Sequence, residues 1–237
     1  LGHNVRDATL DRPISAYGAL FWTIVVLTVE HVSVELTEAA RGAPLTDIVS
    51  LATCKVLATS IVAFAIVRSH ARDSSLRLAL GASPPALHHV LLAAVAGAGM
   101  SPVLAALDDR ILARFPYDDP DMLANVEKLV SSAPRVALVI GMFVVIPVTS
   151  EVFFRGLLFG GLNGSEKARQ AIVVTALLFA LSSLDLRALP STFVLGLVLG
   201  WLRAKSGSVF PAIVAIVAFR GLSAFAILRG GDPLSDI

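Results

Sequence analysis

The chain has 237 residues, 56% of them hydrophobic and 16% charged, with a mean hydropathy of +0.79. Soluble domains carry roughly 25% charged residues, so the composition describes a polytopic membrane protein and excludes an ordinary soluble domain. A net charge of +1 gives no electrostatic footprint for a nucleic-acid partner, and a single cysteine, Cys54, excludes an internal disulfide and a cysteine-cluster metal site.

Residues 1–15 are polar, with Arg6, Arg12 and the break at Pro13. They lack a signal-peptide core and read as a cytoplasmic lead-in or a surface helix. A first span is expected over residues 16–36, containing Glu30, His31 and Glu35. These groups are either wet at the far interface or gathered in the bundle interior. A second span over residues 47–67 contains Lys55, which either snorkels to the interface or pairs with Glu30 or Glu35. A basic connector, 68–85, ends in Pro84-Pro85.

The third span, 86–107, is rich in small residues and starts with His88 and His89, an interfacial pair. A polar loop is expected over residues 108–134, where Asp118, Asp119 and Asp121 form a solvated acidic patch. They lack the spacing and distal Glu of a calcium loop. Four further spans follow at 134–159, 170–184, 189–202 and 209–228, then a short polar tail, 229–237. Several are shorter than the roughly 20 residues that cross a bilayer squarely, as suits helices bordering an internal cavity. The fold class is therefore all-α: a single transmembrane bundle over residues 16–228, with about seven spans, or eight if residues 1–15 hide a short one.

Lysine and arginine sort by side when the N-terminus is cytoplasmic. That face then receives Arg6, Arg12, Arg68, Arg72, Arg77, Lys167, Arg169, Arg203 and Lys205. The other receives Arg41, Arg187, Arg229 and the long loop. The expected location is the cytoplasmic (inner) membrane. Two Gly-x-x-x-Gly pairs, Gly156/Gly160 and Gly196/Gly200, are close-packing faces and candidate docking surfaces for a membrane-protein partner.

Chemistry concentrates in the fourth span. Its apolar run ends in Pro147-Val148-Thr149-Ser150-Glu151-Val152-Phe153-Phe154-Arg155-Gly156. Glu151 and Arg155 lie one helical turn apart and can pair. Charges at membrane depth are costly, hence usually functional or mutually satisfied.

The stretch resembles the first motif of the CPBP family, the membrane-embedded proteases that include CAAX prenyl endopeptidases, bacteriocin-processing and abortive-infection proteins. That motif reads Glu-Glu-x-x-x-Arg, often within Pro-x-x-Glu-Glu-x-x-Phe-Arg-Gly. Pro147, Glu151, Phe154, Arg155 and Gly156 match it. The resemblance covers about residues 76–228, including a weak match of Leu76–Gly81 to the connector before the family's next span. It implies a base at the first Glu, a His in Phe-x-x-x-His and a later His-x-x-x-Asn pair. Here those positions hold Ser150, Ser183 (after Phe179), Ile216 and Arg220. The motifs are degenerate, and the resemblance implies the fold while the activity is in doubt.

Proteolysis by other residues would need Glu151 as base. Ser150 as nucleophile beside it is disfavoured, because adjacent helix residues point about 100° apart. Ser182 and Ser183 have Asp185 nearby but no histidine, and a Ser–Lys dyad would depend on Lys55. Arg220 must be charged; it either pairs with Glu151, while Arg155 shares the pair or binds backbone carbonyls, or it snorkels to the interface. The expected role is a non-catalytic binding, scaffold or regulatory subunit, a pseudo-protease without cofactor or metal. An active intramembrane endopeptidase using Glu151 is the alternative. A transporter is disfavoured by the lack of an inverted repeat and of paired broken helices.

Overall fold

Apolar segments punctuated by capping residues make helices, with no strand among the described residues. The computed structural model describes residues 12–72, 75–117, 124, 127–129, 131, 133–163 and 168–229. Most of the N-terminal lead-in, the acidic patch Asp118–Asp121, Lys167 and nearly all of the tail lie outside these residues. Helix α1 spans Ala16–Arg41, α2 Ile48–His70, α3 Leu76–Ala79 and α4 Leu87–Arg114. Helix α5 is a continuous run over residues 135–163. Helix α6 spans Ala168–Leu181, α7 Leu189–Ser206 and α8 Phe210–Leu228.

Helices α1, α2, α4 and α5 are long and apolar enough to cross a membrane, and α6 and α8 are shorter apolar helices. With α7 they make a bundle of about seven spans. At 14 residues, α6 reaches only about 21 Å at 1.5 Å per residue. Several helices run past their expected ends, α4 furthest. Asp108, Asp109 and Arg110 belong to α4, because no helix breaker falls between Leu107 and Arg114.

Capping and charge fix the first hairpin. Ser15 caps α1, accepting from the Gly18 amide at 3.1 Å. Asp47 caps α2 through the Ser50 amide at 2.8 Å and also accepts from Arg41 at 2.8 Å. Midway down, Lys55 donates to Glu30 at 3.0 and 3.2 Å. Of the readings open for Lys55, the structure therefore selects pairing with Glu30. His31 lies 3.8 Å from Glu35 at the exposed surface.

The core divides into two principal clusters. Ile14, Val26, Ile66, Phe153, Leu157, Leu162 and Leu178 join α1, α2, the second half of α5 and α6. Leu104, Leu195, Leu199, Ala215 and Ile216 join α4, α7 and α8. Helices α4 and α8 run parallel: Val209 donates to Gly81 at one end, and Gly97 meets the Ala215 carbonyl further along.

The Gly-x-x-x-Gly faces are used inside the chain, which corrects their assignment as partner surfaces. A Cβ at Gly196 would lie 3.0 Å from the Ala176 Cα, and one at Gly200 3.2 Å from Ile172 Cγ2. A Cβ at Gly156 would lie 3.3 Å from Leu80 Cδ2, and Gly160 is buried. Close approach of α6 and α7, and of α5 and the connector, has consumed both faces. The connector itself turns at Gly81, whose φ of +60° favours glycine and whose missing Cβ leaves room for the Arg203 guanidinium.

At the other end of the bundle a clamp joins α4 to the α6–α7 turn. Tyr117 donates to Asp185, and Arg187 stacks over the Tyr117 ring at 4.5 Å. Arg187 also donates to the carbonyls of Phe115 (2.6 Å) and Pro116 (2.8 Å). Burial, then the Asp185 carboxylate, pushes the Tyr117 phenol up to about 12. The folded state thus holds this proton more tightly than the unfolded chain, whose phenol titrates near 10. The clamp's contribution to stability is complete below pH about 10 and is lost as pH rises towards about 12. In thermal unfolding across that window, Tyr117→Phe is expected to remove this component of the alkaline loss. An unchanged profile would contradict the clamp.

Candidate functional site

Helix α5 departs from α-helical winding twice. Residues Ile140–Val145 and Val152–Leu158 are π-helical, and Ile146–Glu151 between them is α-helical. The first departure has a cause in the sequence: the Pro147 ring would clash with the carbonyl four residues earlier, Phe143, and lacks an N–H to bond it. The second brackets the motif residue Arg155.

Glu151 and Arg155 are both fully buried. Arg155 Nη1 donates to Glu151 Oε1 at 2.9 Å, and Nη2 donates to the Gly196 carbonyl of α7 at 3.0 Å. The guanidinium stacks on Phe179 of α6 at 4.4 Å and lies 6.0 Å from the Phe154 ring centre. The Arg155 carbonyl accepts from Nε of buried Arg203 at 3.0 Å, so a second guanidinium braces the same turn. Glu151 Oε2 and Arg155 Nε have no hydrogen-bond partner among the described residues. The pair thus links α5 to α6 and α7.

The other motif positions do not join it. Arg220 is exposed on α8 and lies 5.6 Å over its neighbour Phe219. The carboxylate that acts on it is Asp108 of α4. The expected Arg220–Glu151 ion pair is therefore replaced by Arg155–Glu151, because α8 packs along α4 and carries position 220 toward Asp108. The part of the expectation in which Arg155 binds a backbone carbonyl holds, at Gly196. Ile216 is 2% exposed in the apolar cluster with Leu195 and Leu199. Ser183 is exposed in the turn after α6 and donates to the Ala180 carbonyl.

Ser150 looks elsewhere. It lines a cavity of about 20 Å³ together with Glu30, Lys55, Thr59 and Ser182, and with Phe153 and Phe154. The sequence alone gives Glu30 no part in the motif site and brings in Lys55 only as the lysine of a Ser–Lys dyad. Their signal was two opposite charges in adjacent hairpin helices, each within an apolar run.

Residues 132–221 match the Rce1-like family model. Its description is Type II CAAX prenyl endopeptidase Rce1-like, a family of the CPBP group, in agreement with the resemblance read from the motif. Neither a curated protein nor a solved structure matches the chain. The Rce1-like segment runs from just before α5 into α8. Arg155, Gly196, Phe179 and Arg203 all fall within it, whereas Glu30 and Lys55 precede it.

Proposed function

We propose that this multi-pass membrane protein is a non-catalytic relative of the CAAX-type endopeptidases, acting as a binding, scaffold or regulatory subunit of a membrane complex. The observation that carries the reading is the state of Glu151. It is the one acidic residue left in the motif, and it is buried and ion-paired to an arginine that also bonds α7. A general base must reach the water it activates. Burial of Ile216 in a dry cluster supports the same conclusion at the position where the family resemblance implies a histidine. The excess of Lys and Arg on one set of loops supports a cytoplasmic N-terminus.

The unpartnered Oε2 of Glu151 favours one second reading, an endopeptidase in which this oxygen serves as base. Incubation of the purified protein with a prenylated CAAX peptide separates the two. The expected outcome is no cleavage by the parent protein or by Glu151→Gln, with recovery of a membrane partner at fixed stoichiometry in mild detergent. Cleavage by the parent that Glu151→Gln abolishes, while the variant stays folded, would overturn the proposal.

A further inference from the structure

The cavity beside Ser150 has a composition that specifies its occupant. Lys55 and Glu30 keep side-chain exposures of 19% and 27%, and both line the cavity. The two serine hydroxyls have already committed their hydrogens. Ser150 Oγ donates to the Ile146 carbonyl at 3.1 Å, and Ser182 Oγ donates to the Phe179 carbonyl at 2.8 Å. Both therefore face the cavity as acceptors. The Glu30 carboxylate accepts two bonds from Lys55 and, with about four lone-pair sites, can take more. Lys55 has three N–H donors, which leaves one to spare. The Thr59 hydroxyl also lines the space and can donate once, so the space offers several acceptors, two donors and no net charge.

A peptide carbonyl would satisfy only the donors and leave every acceptor unmet, and a hydrocarbon chain would satisfy nothing. A water molecule both donates twice and accepts, and a void of roughly 10–15 Å³ or more by this measure is enough for one. We propose that a single internal water occupies the cavity of about 20 Å³, accepting from Lys55 and donating to Glu30 and to the serine oxygens. It solvates the ion pair at membrane depth and joins the α1–α2 hairpin, which lies outside the Rce1-like segment, to Ser150 and Ser182 within it. The inference is independent of whether the chain cleaves anything.

Thermal unfolding of Ser150→Ala and Ser150→Val tests it by sign. Ser150→Ala leaves the space and removes one acceptor. Ser150→Val fills the space with methyl groups and expels the water from the charged pair. A water site gives the order parent, Ser150→Ala, Ser150→Val in falling melting temperature. In a Glu30→Leu/Lys55→Met background the valine penalty disappears. If instead the cavity is dry, Ser150→Val fills a void and melts above Ser150→Ala, which would overturn the proposal. A structure at a resolution that shows ordered water supplies the direct readout. The expected density is an isolated peak within hydrogen-bond distance of Lys55 Nζ; a featureless cavity, or density continuous with a lipid or peptide chain, contradicts it.

Discussion

Replacing Arg155 with methionine is expected to cost about 3–5 kcal/mol of stability, the range for leaving one partner of a buried ion pair uncompensated. The variant strands Glu151, which is fully buried, and removes the bond to the Gly196 carbonyl and the stacking on Phe179. The double variant Glu151→Gln/Arg155→Met carries no buried charge at this position and should recover part of the loss, since apolar or neutral replacements of whole buried pairs are often well tolerated. Melting curves of detergent-purified protein would show the order parent, double variant, single variant. A single variant as stable as the parent would mean that the pair does not hold α5 against α6 and α7.

The second large effect is expected where two helices touch through backbone. A Cβ at Gly97 would lie 2.8 and 2.9 Å from the carbonyl carbon and Cα of Ala215 and would also meet its carbonyl oxygen. Backbone atoms cannot rotate out of the way as a side chain can. Gly97→Ala should therefore cost about 1–3 kcal/mol, the usual penalty of overpacking, by levering α8 away from α4. Gly99 is the control, because a Cβ there meets nothing within 4 Å. Gly99→Ala should be neutral or stabilising by up to about 1 kcal/mol through helix propensity. Parallel melting of the two variants checks the contrast, and equal behaviour would refute the close contact.

The helical bundle was legible because hydropathy is a local property. The caps Ser15 and Asp47, by contrast, emerged only with the structure, and Pro134 lies at the start of α5. The Glu151–Arg155 pair was likewise legible from its spacing of four. What could not be read were contacts set by helix placement. Arg220 was expected to meet Glu151 because both stand at motif positions, but motif correspondence says nothing of which neighbour a helix packs against. The Gly-x-x-x-Gly pairs show the same limit: their spacing marks close packing without naming the surface that fills them. Lys55 and Glu30 could be matched only once the hairpin put them side by side.

The winding of α5 bears on how relatives of this chain are to be compared. An α-helix closes each bond over four residues and a π turn over five, so each π segment behaves as a one-residue insertion hidden within an unbroken helix. The stretches Ile140–Val145 and Val152–Leu158 lie on either side of Glu151, and each shifts the angular phase of everything beyond it. A ruler of 3.6 residues per turn, laid along the aligned letters, assigns the wrong face to residues outside the central turns. Two homologues that share every motif letter but differ in one such segment would aim those letters at different neighbours. Angular phase is thus a variable of this helix separate from its sequence of residues.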